Sequence, residues 1–268
     1  MKDFLVKAFQ NHFALGAFNI DNLEILKGVA FAAQKLNSPV IVEVSPGELD
    51  YWKMPNFASL VDNVRREFGI PIFSNLDHAA DLDIIKNSLD FGLSMVHFDG
   101  SKLPLEENIL KTKQVVSWAR SKNILVEGEA DHIPMSNEQL AMTNPETAKR
   151  FVAETGVDIF AVSIGNKHGV GENEKLDLDL LRKIREALPN TFFSLHGGSG
   201  LASEDVKEAI KLGIVKVNVN TELRIAFKNN LDLGMNELAW YKITQKAIAE
   251  VQKVVEGKIK LFGLVEKT

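Results

Sequence analysis

Three of the six histidines follow short apolar runs at positions where they could share one site, namely His78, His168 and His196. Imidazole nitrogens are the commonest protein ligands of transition metals, and three of them leave the open coordination position that a catalytic zinc ion needs. A lone histidine at such a position is more often a satisfied structural residue, so the metal prediction depends on the three converging. His97, in a predicted strand, and His132, in a long loop, are weaker candidates.

Carboxylates accompany these histidines. Asp77 directly precedes His78, which places it within reach of a metal-bound substrate for acid–base work. Glu127 and Glu129 are two residues apart in a predicted strand, so they point to the same side of the sheet. Glu127 has a plain structural alternative, because buried barrel carboxylates also pair with lysine or arginine and tie the layers together.

A glycine-rich segment is a second indication of a ligand-binding site. In His196-Gly197-Gly198-Ser199-Gly200, and again around Gly165 and Gly169, backbone amides can approach a ligand closely. The segment Asn218-Val219-Asn220-Thr221 ends a predicted strand and offers three side chains able to hydrogen-bond an oxyanion or a hydroxyl. Glycines at strand ends also simply make turns, but the convergence of these segments predicts a phosphate site.

The elements that position these residues are short apolar runs alternating with amphipathic segments, such as 23–33 and 178–188, and with N-cap signals at Asn144 and Ser203. Continuous apolar runs are typical of parallel strands buried on both faces. Eight such units without a linker favour one (β/α)8 TIM barrel over two doubly wound domains, and barrel enzymes build their sites at the carboxyl ends of the strands. The predicted strands are 14–19, 39–45, 71–77, 94–99, 124–129, 158–164, 191–196 and 214–219.

Composition narrows the class of protein. The 268 residues are 45% apolar and 25% charged, which is ordinary for a globular chain with a sizeable core. The absence of cysteine excludes disulfides and thiolate chemistry, so any metal must use nitrogen and oxygen ligands. A net charge of -5 and the lack of a long apolar run argue against nucleic-acid and membrane partners. We expect a small-molecule partner and a cytoplasmic location.

The pattern predicts one domain over residues 1–268, in which 233–268 form a C-terminal helical extension of the barrel, with residues 233–256 as one or two helices. Residues 130–143 are the one long polar connection between predicted elements.

Several short segments are each weak evidence for a protein family when taken alone, but their order along the chain is specific for one family. They are Gly16-Ala17-Phe18-Asn19 with Asn22-Leu23-Glu24, Val42-Glu43-Val44-Ser45, Leu76-Asp77-His78, Asp99-Gly100-Ser101, Val126-Glu127-Gly128-Glu129, Ile164-Gly165-Asn166-Lys167-His168-Gly169, His196-Gly197-Gly198-Ser199-Gly200 and Lys216-Val217-Asn218-Val219-Asn220-Thr221. With them the chain resembles the class II, metal-dependent ketose-bisphosphate aldolases, the family of fructose- and tagatose-bisphosphate aldolases, over residues 9–221.

The resemblance implies that His78, His168 and His196 bind a catalytic zinc ion. This ion would polarise the dihydroxyacetone phosphate half of a ketose substrate and stabilise its enediolate. Asp77 would carry the proton of the hydroxyl whose carbon becomes the aldehyde, and Asn218 would hold the enediolate by hydrogen bonding.

The resemblance also assigns the residues around the phosphate. They are Gly169, Gly197, Ser199, Asn220 and Thr221, with Ser45 and Asn19 nearby. Glu129 matches a position that can contact a second or displaced metal, and a monovalent cation is the other candidate for an additional ion. Because the relatives are dimers or tetramers, the resemblance implies a homodimer or homotetramer.

Two departures from the family pattern bear on the substrate. Family members usually carry Leu-Gly and a Gly-Gly-acidic loop with the general base after the strand-five glutamate, whereas this chain continues from Ala130 without that motif. An ungapped count places Asn137 at the base position, so Glu138 or His132 is the replacement. The arginine of the usual C-terminal Asp-Pro-Arg-x-Tyr stretch, which reaches the distal phosphate, is also missing, so Lys242 or Arg224 would have to compensate.

These observations predict a zinc-dependent class II aldolase that reversibly cleaves a phosphorylated ketose into dihydroxyacetone phosphate and an aldehyde. The ketose is fructose or tagatose 1,6-bisphosphate or a ketose 1-phosphate. Two alternatives stay open, namely a non-catalytic sugar-phosphate-binding barrel that lost the loop base and an isomerase or epimerase that forms the same enediolate.

Overall fold

Eight parallel strands close into a barrel in chain order, with β8 paired to β1, in a computed structural model that describes residues 1–135, 138–139, 141–169, 175–231 and 237–265. The predicted (β/α)8 barrel is therefore confirmed. The strands are β1 (Leu15–Asn19), β2 (Val40–Val44), β3 (Ile72–Ala79), β4 (Met95–Phe98), β5 (Leu125–Gly128), β6 (Ile159–Val162), β7 (Phe192–Leu195) and β8 (Ile214–Val219).

The strands are buried on both faces, as their continuous apolar runs predict. Every residue of β1, β2 and β8 is buried, because one face meets the barrel interior and the other meets the surrounding helices. The register pairs Ala17 with Asn218 and Asn19 with Glu43. Polar residues from distant parts of the sequence are thus brought to the same end of the barrel.

Helices follow the strands and form the outer layer. Asn144 accepts hydrogen bonds from the amides of Glu146 and Thr147, as its predicted capping role requires. The predicted cap at Ser203 is wrong, because the helix begins at Ser203 itself and Ala202 makes no side-chain hydrogen bond there. The helices are α1 (Lys2–Asn11), α2 (Leu23–Lys35), α3 (Pro46–Trp52), α4 (Met54–Phe68), α5 (Leu82–Ser88), α6 (Leu105–Arg120), α7 (Pro145–Thr155), α8 (Leu178–Ala187), α9 (Ser203–Lys211), α10 (Thr221–Asn229), α11 (Trp240–Ile243) and α12 (Gln245–Leu261), with a 3-10 turn over Leu89–Phe91.

The N-terminal helix packs against the amino ends of the strands, opposite the predicted site. Phe4 packs its ring against Phe73 near the start of β3, and Phe9 contacts Phe192 at the start of β7. This helix was not predicted, since the sequence analysis assigned no element before residue 14. This helix therefore covers the amino ends of the strands, and the polar side chains lie at the carboxyl ends.

The long C-terminal helix α12 packs on α2. Gly28 permits this contact, because a Cβ atom there would lie 2.7 Å from Val251 Cγ1. The Lys35 ammonium and the Glu256 carboxylate join the two helices at 2.9 Å. Residues 233–236 and 266–268 of the predicted 233–268 extension lie outside the described residues, and the division into one domain with this extension stays a prediction. No helix in the described ranges is long and apolar enough to cross a membrane.

Candidate active site

A cavity of about 370 Å³ opens at the carboxyl ends of the strands. The sequence-predicted site residues that line it come from seven strands and the loops that follow them. They are Asn19, Ser45, Asp77, His78, Glu138, His168, Gly169, His196, Gly197, Ser199, Asn218, Asn220 and Thr221. Glu129 is buried and does not line the cavity, but its carboxylate belongs to a ligand group with His78. Closure of the barrel thus brings the predicted residues together, while their individual roles stay predictions.

An irregularity in β3 turns two consecutive side chains into the cavity. Neighbouring residues of a strand normally face opposite sides, yet both Asp77 and His78 line the cavity. The register with β4 shifts between Leu76 and Ala79, and His78 has a φ angle of 50°. This left-handed backbone conformation is uncommon for a residue other than glycine. The bulge allows a carboxylate and an adjacent imidazole to serve the same site.

The imidazoles of His78 and His196 face each other through nitrogens that can both carry lone pairs. His78 Nδ1 lies 3.0 Å from an oxygen of Asp99, and His196 Nε2 lies 2.6 Å from an oxygen of Glu127. When each carboxylate accepts the N–H of its partner ring, His78 Nε2 and His196 Nδ1 are left as acceptors 2.8 Å apart. Two such acceptors can share a proton or bind a metal ion, and each ring is held by a carboxylate as a zinc-binding histidine usually is, so this donor set fits a zinc ion.

The electrostatics of the site favour a positive charge at the same place. Burial lowers the pKa of His78, but the charges of Asp77 and Glu129 and the hydrogen bond with Asp99 raise it overall to about 10. Burial and the neighbouring His78 lower the pKa of His196 to about 3. At neutral pH a proton on His78 Nε2 is therefore donated to the neutral His196 Nδ1. A divalent cation would replace this proton, because an imidazole must be deprotonated to bind a metal.

His168, the third predicted ligand, approaches the other two from the β6 end. Its ring nitrogens are not part of the group of ligand atoms that lie within 4.8 Å of one another, which come from Asp77, His78, His97 and His196. Its ring centre lies 4.8 Å from that of His78 and 5.9 Å from that of His196. Burial lowers the pKa of His168 to about 4, so this imidazole is neutral and available as a ligand at neutral pH. The amide of His168 donates to the carbonyl of Pro134 at 2.8 Å, which ties it to the loop after β5.

A second group of candidate ligand atoms lies beside the first. Oxygens of Asp99 and Glu129 and a nitrogen of His78 lie within 4.8 Å of one another. Both carboxylate oxygens of Glu129 are buried and make no hydrogen bond, and burial and the nearby Asp99 raise its pKa well above the usual range. These features support the prediction of Glu129 for a second or displaced metal.

The segments after β7 and β8 form a backbone cradle at the other side of the cavity. Gly197 has a φ angle of 66°, and a Cβ atom there would lie 1.8 Å from the carbonyl oxygen of Lys167. The amide of Gly198 donates to the carbonyl of Asn218 at 2.9 Å, which joins the two strand ends. Lys258 Nζ of α12 donates to the carbonyl of Gly198 at 3.1 Å. Residue 197 must therefore be a glycine, because its backbone approaches the Lys167 carbonyl too closely for a Cβ atom.

Glu138 and His132 of the loop after β5 form a pair at the cavity wall. His132 Nε2 lies 3.1 Å from Glu138 Oε2, which also accepts the amide of Met135 at 2.8 Å. The hydrogen bond from Met135, followed by that from His132, lowers the pKa of Glu138. A carboxylate ionised at neutral pH can accept a proton, so the pair fits an acid–base role. Asn137, where the ungapped count placed the base, lies outside the described residues.

Beneath the histidines, Glu127 and Lys216 form a buried ion pair with 2.9 Å between Oε2 and Nζ. Glu127 therefore has the structural role that the sequence analysis offered as its alternative, and it also holds His196. Lys216 Nζ lies 2.7 Å from Asn218 Oδ1 and donates to it. Asn218 Nδ2 in turn lies 3.3 Å from Asp77 Oδ1, so the amide is turned toward the site.

Sequence reasoning gave no role to Asp99 or Lys216 and left His97 open. Asp99 directly follows β4 at the same rim, so the strand-end rule applied to the histidines would have found it. Lys216 interrupts an apolar strand two residues before Asn218, which places both side chains on one face. His97 is fully buried, and its Nδ1 lies 3.3 Å from the amide of His78, so it supports the β3 bulge.

Of the two cations offered in place of the missing arginine, only Arg224 lines the cavity. Its guanidinium forms ion pairs with Asp21 at 2.8 Å and Glu48 at 2.6 Å. Lys242 pairs with Glu237 at 3.0 Å, away from the cavity lining.

The fold and the site together define a (β/α)8 barrel with a cluster of histidines and carboxylates at the carboxyl ends of its strands. Comparison with known families identifies which barrel this is. The profile described as fructose-bisphosphate aldolase class-II matches residues 1–267. The chain belongs to the class II fructose-bisphosphate aldolase family, a family of lyases.

Individual relatives span nearly the whole chain. The fructose-bisphosphate aldolase of Streptococcus pneumoniae is 37% identical over 282 residues, covering 97% of this chain and 96% of the relative. A protein of Escherichia coli K12 described as uncharacterized protein YdjI is 35% identical, covering 96% and 94%. The crystal structure of the YdjI aldolase from Escherichia coli K12 superposes with a TM-score of 0.85 at 31% identity, covering 100% of this chain and 98% of that one.

Proposed function

We propose that this protein is a zinc-dependent aldolase that reversibly cleaves a phosphorylated ketose into dihydroxyacetone phosphate and an aldehyde. One observation carries the proposal, namely the facing nitrogens of His78 and His196, 2.8 Å apart, beside the carboxylate of Asp77. The substrate class is fructose or tagatose 1,6-bisphosphate or a ketose 1-phosphate. Class II family membership and the histidine cluster support a metal-dependent reaction.

His78, His168 and His196 would hold the zinc ion, and Glu129 with Asp99 would offer the second or displaced position. Zinc supplies Lewis-acid polarisation of the substrate carbonyl, which weakens the carbon–carbon bond two atoms away. A monovalent cation is the alternative to a second zinc ion in this proposal.

Asp77 would accept the proton of the hydroxyl whose carbon becomes the aldehyde. It is nearly fully buried and its pKa lies well below the usual range, because the charges of His78 and Lys216 and the hydrogen bond with His97 outweigh the effect of burial. An ionised carboxylate at this position can take the proton as the carbon–carbon bond breaks. The amide of Asn218 would donate to the negative charge that develops on the dihydroxyacetone phosphate half.

Glu138 would return a proton to the carbon that leaves with dihydroxyacetone phosphate, and in the direction of synthesis it would remove that proton. His132 orients the carboxylate through the contact described above, and it is the alternative group for the same task. The phosphate would lie on the backbone cradle, where amides can approach an anion without a side chain between them. The residues of this subsite are Gly169, Gly197, Ser199, Asn220 and Thr221, with Asn19 and Ser45 at the adjoining wall.

We further propose a homodimer or homotetramer located in the cytoplasm. Both expectations rest on the family resemblance, and the location also rests on the cysteine-free composition.

The decisive experiment is a coupled assay of the purified, zinc-loaded protein on fructose 1,6-bisphosphate, tagatose 1,6-bisphosphate and several ketose 1-phosphates. We expect release of dihydroxyacetone phosphate from at least one of them and loss of this activity after the metal is removed by a chelator. Activity restored by zinc confirms the metal dependence. Activity that is unchanged by chelation would contradict the zinc assignment.

A further inference from the structure

A buried carboxylate lies directly behind the part of the cavity wall that Asn19, Ser45 and Arg224 form, and it does not itself line the cavity. Glu48 belongs to α3, the helix that follows β2, and 8% of its side-chain surface is exposed. Its Oε2 accepts hydrogen bonds from Asn19 Nδ2 at 3.2 Å and from the amide of Ser45 at 2.6 Å. Its Oε1 accepts from Arg224 Nη2 at 2.6 Å. Three donors that would otherwise be offered to a ligand at this wall therefore point at an internal carboxylate. Burial raises the pKa of Glu48 to about 7, so this carboxylate is partly ionised at pH 7 and carries its full charge only above that pH.

The local structure of α3 explains only one of these contacts. A glutamate three residues after Ser45 closes a capping box by accepting the amide at the start of the helix. The donors from Asn19 and Arg224 come from β1 and α10, which are not part of that cap. The carboxylate thus has a role beyond its own helix.

Arg224 is neutralised by the same arrangement. Its guanidinium binds Asp21 through two hydrogen bonds of 2.8 Å and binds Glu48 through a third. One cation therefore faces two carboxylates. Among the described residues that line the cavity, Lys102 is the other one with an ammonium or guanidinium group. Its charge helps to lower the pKa of Glu138, in the loop that follows β5.

The charge at this wall decides what kind of group can approach it. We propose that Glu48 is a specificity-determining residue, whose carboxylate takes the donors that a phosphate at the far end of the ketose would need. The wall then accepts hydroxyl groups and repels a second phosphate, so the substrate class is ketose 1-phosphates.

This inference rests on the proposed function in one respect. The glycine cradle takes the phosphate of the dihydroxyacetone half, and Glu138 takes the wall beside β5. The part of the ketose beyond the broken bond therefore extends along the remaining wall, which contains Asn19, Ser45 and Arg224.

The test compares two ligands that cannot be cleaved, a hexitol 1-phosphate and the corresponding hexitol 1,6-bisphosphate. Their dissociation constants are measured by calorimetry at pH 8.5, where Glu48 is ionised, on the zinc-loaded protein, on Glu48→Gln and on Asp50→Asn. Asp50 is the matched control, because it is an acid of the same helix whose side chain is 90% exposed. Thermal melting of each variant verifies that it is folded.

We expect the unmodified protein to bind the monophosphate at least as tightly as the bisphosphate. Glu48→Gln keeps the shape of the side chain and removes its charge, so the ratio should shift toward the bisphosphate by about tenfold. Asp50→Asn should leave the ratio within about twofold, because an exposed charge is screened.

A tenfold preference of the unmodified protein for the bisphosphate would overturn the inference, even if the Glu48 variant did not fold. An unchanged ratio in a folded Glu48→Gln would overturn it as well. Failure of both ligands to bind would instead refute the proposed sugar-phosphate site, and the inference with it.

Discussion

Lys216 donates a hydrogen bond from Nζ to Asn218 Oδ1 at 2.7 Å, two residues further along β8. The same ammonium is paired with Glu127, which holds His196 from the opposite side of the ring. One buried cation therefore fixes the orientation of the amide and, through a carboxylate, of a predicted zinc ligand. Burial raises the pKa of the neighbouring Glu43 to about 8, so at neutral pH the principal ion pair of Lys216 is with Glu127.

Replacing Lys216 should affect both stability and catalysis, whereas replacing Asn218 should affect mainly catalysis. Lys216→Met should lower the free energy of unfolding by about 3 to 5 kcal/mol, because it leaves a buried carboxylate without a partner. Asn218→Ala should lower kcat about 100-fold by removing a donor to the developing charge. Urea denaturation and steady-state kinetics measure the two effects, with Asn56→Ala as an exposed control. Unchanged kcat in Asn218→Ala would contradict the assigned role.

Substitutions of His196 and Asp77 should have different effects on zinc binding and on catalysis. His196→Ala should abolish both bound zinc and activity. Asp77→Ala should keep the zinc and lose about 1,000-fold in cleavage rate, since only the proton acceptor is removed. Zinc content after dialysis, measured by atomic absorption, distinguishes the two variants, and His12→Ala serves as the exposed control. A His196 variant that still binds zinc and cleaves substrate would rule out the ligand assignment.

The acid–base role of the loop can be tested without cleavage of a ketose. In the presence of zinc, the protein should exchange a carbon-bound proton of dihydroxyacetone phosphate with solvent. Glu138→Gln should slow this exchange at least 100-fold, whereas the exposed Glu146→Gln should leave it unchanged. If His132→Asn abolished exchange and Glu138→Gln did not, the histidine would be the acid–base group. Absence of exchange in the unmodified, zinc-loaded protein would favour a non-catalytic barrel.

Glycine substitutions test whether the backbone cradle binds phosphate. Gly197→Ala places a Cβ 1.8 Å from a carbonyl oxygen at a positive φ angle, so the segment must move. We expect inorganic phosphate to bind at least tenfold more weakly than in the unmodified protein, as measured by calorimetry. Gly47→Ala is the matched control, because a Cβ there meets no atom within 4 Å. Equal phosphate affinity in the two variants would argue against a cradle at this position.

The contact between α2 and α12 should show a defined pH dependence. Burial raises the pKa of Glu256, but the hydrogen bonds from Lys35 and Gln252 outweigh it and lower the pKa overall. A lowered folded-state pKa stabilises the protein above the unfolded value of 4.5, and this contribution is lost as the pH falls through the folded value. Because Lys35 is largely exposed, Glu256→Gln should cost only about 0.5 to 1 kcal/mol at pH 7.

Denaturant unfolding at a series of pH values from 7 down to the acid limit of the folded protein measures this difference. The two proteins should differ at pH 7, and the difference should shrink as the pH falls below 4.5 and the Glu256 carboxylate becomes protonated in the folded protein. A gap of the same size at all of these pH values would show that packing, and not charge, accounts for the effect.

Much of the barrel could be predicted because its signals are local. Each apolar run reports the burial of its own strand, and the predicted ranges 14–19 and 214–219 coincide with β1 and β8 to within one residue. The rim positions of His78 and His196 follow from where their strands end. The helix α1 was missed, since short amphipathic segments depend on tertiary packing for their stability.

The sequence by itself determined the strand order, the histidines at the strand ends and the glycine segments, because these depend on neighbours along the chain. Only the tertiary structure decided which carboxylate faces which ring and which donors are already satisfied. Glu48 meets Arg224, 176 residues away, because closure of the barrel brings α10 beside the ends of β1 and β2. Such contacts depend on barrel closure and on the shift in β3, and neither is encoded in any single segment.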